Sequence, residues 1–244
     1  MSELSVTALA VATADSPEHV PVAGVGAELP ALVRAAVAAG PVPADHLTVR
    51  VGDGTDGPDV SAEALAALGA PGQPHPLVLV RSGPLRDPLT AALAGLVHES
   101  GWAGEDLGLT HLEELGGSLV FGLLDWALPA AGGTVLVCDE PLCGDDRCGP
   151  PRYAAVGLRL RRGDGPLRVL GCGEGPPDAR DGELRFTGVG PCDAWLALHA
   201  ALAAGRVADG TPVLLHTRSA RREGWLRLAV TDVAALRLAG LPPT

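Results

Sequence analysis

Two adjacent carboxylates, Glu113 and Glu114, stand where an apolar helix begins in "LGLTHLEELGGSLVFGLLDWALPAAGGTVLVCDEPL" (107–142). A carboxylate at a helix start is favoured by the helix dipole. To handle protons it would need a pKa raised by burial and a second group to work with. The residues beside it supply no such group: Glu113, Glu114 and Leu115 occupy the place where a nucleophile would be expected, with no cysteine, serine or histidine there. Cys138, Cys143 and Cys148 gather sulfur and carboxylates in "CDEPLCGDDRCG". Zinc sites pair closely spaced cysteines with a second pair elsewhere. Here both spacings are C-x4-C without a partner pair, so no metal is expected.

"GCGEG" (171–175) lacks the Gly-Lys-Ser/Thr ending of a phosphate loop and opens no helix. "GVGAEL" (24–29) does precede a helix but is too short for a dinucleotide fingerprint. No cofactor is expected. His98 and His199 fall within helices, His111 ends a strand, His216 lies in one, and no Gly-x-Ser-x-Gly elbow occurs. The arginines at 159–162 and 218–222 sit near the tips of predicted hairpins. Only if they converge could they receive a phosphate or an acidic helix.

The elements that must position these groups alternate. A strand over residues 3–13 is followed by a helix in "GVGAELPALVRAAVAAG", a short strand and polar loop, and a helix "SAEALAALG" that Ser61 can cap. "PLVLV" (76–80) is apolar throughout, as expected of a strand covered on both faces. A helix over Pro84–Ser100, with Asp87 as cap and Pro88 in its first turn, precedes the strand "LGLTHL". Gly117–Ala130 reads as a helix that is apolar nearly all round, hence central. "TVLVCDE" is a further buried strand. "YAAVGLRLRR" and "GPLRVLGCG" read as an antiparallel pair around "RGDG". After a Gly/Pro/Asp linker (173–183) come "ELRFTGV", a helix over Asp193–Gly205, and the pair "PVLLHTRSA" and "GWLRLAV" around "RREG". The order predicts one layered α/β domain over 1–244.

Composition bounds the partners. With 244 residues and 47% hydrophobic content the chain can bury a sizeable core. All 18 basic residues are arginine, and the net charge of -11 argues against nucleic acid or an anionic membrane as partner. No stretch approaches 18 apolar residues, so no membrane span is expected. Five cysteines at irregular spacing suggest no disulfide framework. The apolar N-terminus without a basic leader reads as a strand rather than a signal peptide, and a cytoplasmic location is expected.

The run "EELGGSLVFGLLDWAL", "TVLVCDEPL" and "YAAVGLRL" resembles a beta-ketoacyl synthase of the thiolase fold, and in particular the short chain-length-factor type that pairs with a catalytic synthase. The resemblance covers about residues 76–172. It implies a thiolase-like layered α-β-α fold, with a complete N-terminal half (1–175) and a reduced C-terminal portion (183–244). In that family a catalytic cysteine heads the buried helix, and the matching position here falls on Glu114 or Leu115. The family's C-terminal His-Gly-Thr and His-Asn loops are absent. What the resemblance implies is thus a non-condensing subunit of a type II polyketide or fatty-acid-type synthase, paired with a ketosynthase or with itself. Acyl chains borne on the phosphopantetheine of a carrier protein would be the shared substrate. The strand "LGLTHL" would cross the two-fold axis, with Leu107, Leu109 and His111 alternating onto one face, and Phe121 or Trp126 would bound the acyl tunnel. Two other readings stand beside it: an enzyme using Glu114 for malonyl-thioester decarboxylation or acyl transfer, and a homodimeric scaffold.

Overall fold

The computed structural model describes residues 4–15, 19–22, 43, 45–50, 59–81, 92–141, 143–146, 152–219 and 222–240. The helix read in residues 24–40, the polar loop after Arg50, Asp87, Pro88 and Cys148 lie outside them. The first strand, β1 (Leu4–Asp15), is the longest. Three short strands, β2 (His19–Pro21), β3 (Leu47–Arg50) and β7 (Cys143–Asp145), make a small separate sheet. The remaining strands form one ten-stranded sheet. They are β4 (Leu77–Arg81), β5 (Asp106–Leu109), β6 (Gly133–Asp139), β8 (Arg152–Arg162), β9 (Leu167–Glu174), β10 (Leu184–Gly188), β11 (Pro212–Arg218), β12 (Glu223–Val230) and β13 (Arg237–Ala239), with β1 among them.

The path across that sheet is β10-β11-β12-β9-β1-β8-β6-β4-β5, and β13 lies parallel to β1. The pair expected around "RGDG" does not form, because β1 lies between β8 and β9. β8 pairs with almost the full length of β1, and β9 meets it only at Ser5 and Val6. The turn instead wraps the start of β1, where Ser5 Oγ donates to Gly163 O (2.6 Å). The pair around "RREG" does form, as β11 and β12.

Four helices are described: α1 (Val60–Leu68), α2 (Ala92–Ser100), α3 (Gly116–Ala127) and α4 (Asp193–Ala203). Asp59, not Ser61, caps α1, accepting from the Ala62 N–H at 2.9 Å. The helix begins one residue before Ser61, whose hydroxyl turns inward to the Cys138 thiol (3.0 Å). Period-two alternation sorts the layers. Val78, Val80, Val135 and Val137 join the large core around α3 and α4. Leu77, Leu79, Leu136 and Cys138 face the opposite way, onto α1 and α2. From the other half, Val213, Leu215, Leu226 and Leu228 close the large core over α3 and α4.

The two halves echo each other. An edge strand, a core helix, a strand and its antiparallel neighbour occur as β5–α3–β6–β8 and again as β10–α4–β11–β12. In the first half β4 intervenes between β5 and β6, whereas β10 pairs directly with β11. Among the described residues the second half shows no counterpart of β4. Its outer face is closed by the linker before β10. There the Arg227 Nε donates to Glu183 Oε1 at 2.7 Å, with both side chains buried, and another Arg227 N–H reaches the Asp178 carbonyl. The Arg227 guanidinium also lies over the Trp225 ring, 4.8 Å from its centre.

Two histidines give this architecture a pH dependence. Arg159 donates to His75 Nε2 (2.9 Å) and to Thr134 Oγ1 (2.6 Å) under the β4 and β6 starts. Burial, and secondly the Arg159 charge, lower the His75 pKa. Burial likewise lowers His199, against the opposing pull of its bond to Ala239 O. Both folded values lie below the ordinary 6.5, so below that pH the unfolded chain binds more protons than the folded one. Stability is full above pH 6.5 and is lost as pH falls toward the folded values. The urea midpoint should therefore drop between about pH 7.5 and about pH 5.5, less steeply in His75→Gln. A pH-independent midpoint would contradict this account.

Candidate functional site

The helix start singled out by the sequence lies at the end of the sheet where β4, β5 and β6 finish. β5 stops at Leu109, and the chain turns into α3 through a single 3-10 turn, Glu113–Leu115. His111 (φ 67°) and Glu113 (φ 48°) both take left-handed backbone conformations, which cost non-glycine residues energy. The turn has no side-chain cap.

Leu115 is fully buried. Its Cδ2 packs against Gly224 of β12, only 2.9 Å from where a Cβ on that glycine would stand. Glu114 is half-buried and accepts the hydroxyl of Ser219, at the β11–β12 tip. Ser219 Oγ in turn accepts from the Arg222 N–H at 3.0 Å. Arg222 Nε donates to Glu174 Oε1 (2.9 Å), and its charge is felt by Glu114 and Glu113 as well. The bond from Arg222 holds the Glu174 carboxyl below its usual range. Three carboxylates thus share one guanidinium over the helix start, and the hairpin tip is latched across it.

α4 begins against the same place. Asp193 Oδ2 accepts the N–H groups of Val189 (2.8 Å) and Gly190 (2.7 Å). Pro191 sits directly on Gly117, where any Cβ would collide with the Pro191 carbonyl oxygen. Trp195 Nε1 donates to Gly117 O at 2.8 Å. The two helix starts interlock through a glycine, which leaves no room between them.

The described thiols are Cys138, Cys172 and Cys192. Cys192 precedes the first residue of α4, but it is buried with its Sγ on Val137 O (3.3 Å). Burial, then Asp139, Cys138 and Asp193, push its pKa well above the ordinary value. Burial also raises Cys172 and drives Cys138 up to about 12. The thiolate is the reactive form, and burial disfavours it at all three. His216 bonds Glu223 at 2.7 Å, yet Leu215 and Thr217, not His216, alternate toward the core helices. This pair points away from Leu115.

The remaining expected residues fall in different places. Phe121 is core, 1% exposed and stacked on Trp195 with ring centres 5.8 Å apart. Trp126 is neither core nor enclosed, being 75% exposed near the end of α3. α3 is therefore not buried all round: Gly122, Trp126 and Ala127 are exposed beside the half-buried Leu119 and Leu123. Leu107 is 44% exposed on the edge strand β5, and Leu109 packs on the core. The alternation expected to carry His111 onto their face stops at Leu109, because the left-handed turn takes His111 out of the strand. The two arginine groups do not converge. Arg159 lies under the starts of β4 and β6, whereas Arg218 and Arg222 cap the opposite end, beside Glu174. Sequence reasoning missed Ser219 and Gly117; the glycine pair at 116–117, directly after the carboxylates, was the available signal.

Among the described residues no group of three His, Cys, Asp or Glu is arranged to hold a metal, and no helix is long and apolar enough to cross a membrane. No protein-family model matches the chain, and no curated protein matches it. Solved structures do. ChlB3, described as an acyltransferase, aligns with TM-score 0.57 at 14% identity over 96% of this chain and 99% of its own. The 3-oxoacyl-(acyl carrier protein) synthase III FabH from Pseudomonas aeruginosa PAO1 aligns with TM-score 0.55 at 15% identity, over 94% and 99%. The HMG synthase of the curacin biosynthetic pathway, solved in complex with a holo donor acyl carrier protein, aligns with TM-score 0.59 at 10% identity, over 95% and 81%. At these identities the likeness is one of fold. The chain has a thiolase-like layered α/β fold.

Proposed function

We propose that this chain is a non-condensing, chain-length-factor-like subunit that pairs with a catalytic ketosynthase of a type II polyketide or fatty-acid-type system. One observation carries the reading: the helix start, where the resemblance puts the nucleophile, is filled by Leu115 packed on Gly224 and latched by Glu114–Ser219. Condensation through a thioester needs an activated nucleophile and a group to polarise the carbonyl. Here the apolar side chain, the thiols whose thiolate burial disfavours and the outward-facing His216 supply neither.

Among the described residues no strand pairs with the outer edge of β5, where Leu107 is exposed, and this supports pairing with a second thiolase-type chain, since an unpaired edge strand invites a partner. On this reading Trp126 and the exposed flank of α3 would contribute to the partner's surroundings rather than to a tunnel within this chain. Carrier-protein binding, suggested by the curacin synthase complex, would fall to the partner. Three carboxylates around one Arg222 make the helix start a poor landing place for an acidic carrier.

Native mass spectrometry of this chain with a candidate ketosynthase tests the reading. A one-to-one complex is expected, weakened by at least about tenfold in Leu107→Arg, which places a buried charge in the joint. A chain that forms only homodimers in the presence of the synthase would favour the scaffold reading instead.

A further inference from the structure

A cavity of about 560 Å³ opens between α1 and α2, at the end of the sheet opposite the helix start described above. Its volume falls within the range of about 300–1,000 Å³ usual for small-molecule sites. Leu65 and Ala66 of α1, Leu96 of α2, Pro71 and Pro74 of the connecting loop, and Trp102 line it, and its walls are mostly apolar. The Trp102 wall is held in place before any ligand arrives. Its Nε1 donates to His75 O (3.1 Å), the His75 ring lies 5.5 Å from its own, and the Arg159 guanidinium is 5.9 Å from its ring centre.

Charge behind one wall of the cavity decides what it would take. Gly69, which lines it, adopts φ +64° at the end of α1, and the Arg237 guanidinium stands 3.8 Å from where its Cβ would be. Arg159 is close enough to Arg237 for each to feel the other's charge. Arg159 gives its N–H groups to Gly69 O (2.5 Å), Leu68 O, Thr134 Oγ1 and His75 Nε2, and Arg237 donates to Leu68 O. These acceptors are neutral, so two cations stand together with no carboxylate among those partners. Among the described residues that line the cavity the one ionisable side chain is Glu99, exposed on α2. Arg237 is exposed and retains N–H donors beyond its bond to Leu68 O.

We infer that this cavity is a binding site for an apolar carboxylate, whose hydrocarbon or aryl body lies against Trp102, Leu65 and Leu96 and whose acid group reaches Arg237 beside Gly69. The site is independent of the pairing role proposed above, being at the opposite end of the sheet. Cationic ligands of the same shape are disfavoured, because their head group would meet two guanidiniums.

Calorimetric titration of the full chain with decanoate and with decylamine, each below its aggregation concentration, tests this. Decanoate is expected to bind saturably with one site, at least about tenfold tighter than decylamine, since a charge-assisted hydrogen bond contributes about that much. Arg237→Gln, with its melting curve recorded to show that the fold is kept, is expected to weaken decanoate by about tenfold and not to weaken decylamine. Ala66→Leu, which puts an exposed side chain into the cavity mouth, should weaken both. Equal binding of acid and amine, unaltered decanoate binding in Arg237→Gln, or no saturable decanoate binding at all would each overturn the assignment.

Discussion

Arg227→Leu should destabilise the chain by about 3–5 kcal/mol, the cost of leaving a buried carboxylate without its cation. The size follows from the surroundings. Both Arg227 and Glu183 are about 3% exposed at the side chain, so solvent cannot take over when the partner is removed. The guanidinium also holds the Asp178 carbonyl and covers Trp225. The first two contacts attach the linker to the outer face of β11 and β12, which no helix covers among the described residues, and the third braces Arg227 on its own strand. Their loss exposes Leu214, the neighbour of Arg227 across the strands and now fully buried.

The double variant Arg227→Met/Glu183→Leu separates the two meanings of this pair. If the ion pair only fills space, apolar replacement of both partners should recover most of the loss, because a buried pair often contributes little beyond its own desolvation. If its role is to orient the linker, the double variant should melt near the wild type but show faster amide exchange over residues 175–183. Chemical denaturation of the three variants supplies the test. A single-variant loss under about 1 kcal/mol would mean that the linker reorganises freely and that this pair does not close the sheet face.

Much of this architecture was legible because each strand carries its burial pattern openly. "PLVLV" and "TVLVCDE" are apolar on both faces, and both faces are covered. Order along the chain does not reveal what comes between two strands in space. "YAAVGLRLRR" and "GPLRVLGCG" look like a hairpin, yet β1, some 140 residues earlier, takes the place between them. Only long-range pairing decides that, and local propensity carries no trace of it. The short strand read before the polar loop is β3, whereas the three-residue strands β2, β7 and β13 were hidden for a different reason: three residues show no periodicity. At the helix start, the residue types Glu113, Glu114 and Leu115 were readable. What fills the space was not, because Ser219, Gly224 and Pro191 arrive from about 75 to 110 positions away. The same limit explains Trp126. An apolar helix shows which residues could be buried, but its flank stays open here because nothing described packs on it.

Gly117→Ala is the complementary prediction, and its force comes from a comparison within one helix. Alanine ordinarily stabilises a helix interior over glycine by about 1 kcal/mol. At Gly122 the added Cβ would stand 3.5 Å from Cys172 Sγ, an ordinary contact, so Gly122→Ala should be neutral or stabilising by up to about 1 kcal/mol. At Gly117 the same methyl meets the Pro191 carbonyl, which is backbone and cannot rotate away. The starts of α3 and α4 must then separate, stretching the Trp195 Nε1 bond to Gly117 O and disturbing the Phe121–Trp195 stack beneath it. A loss of about 3 kcal/mol is expected, at the upper end of overpacking costs. Denaturation midpoints of the two variants, measured side by side, should move in opposite directions or at least differ by more than about 2 kcal/mol. Equal shifts would show that the two helix starts yield easily. The space beside Leu115 would then be closed by choice of side chain alone, and a smaller residue there could open it. Unequal shifts would place the closure in the backbone itself, beyond the reach of any side-chain change at position 115.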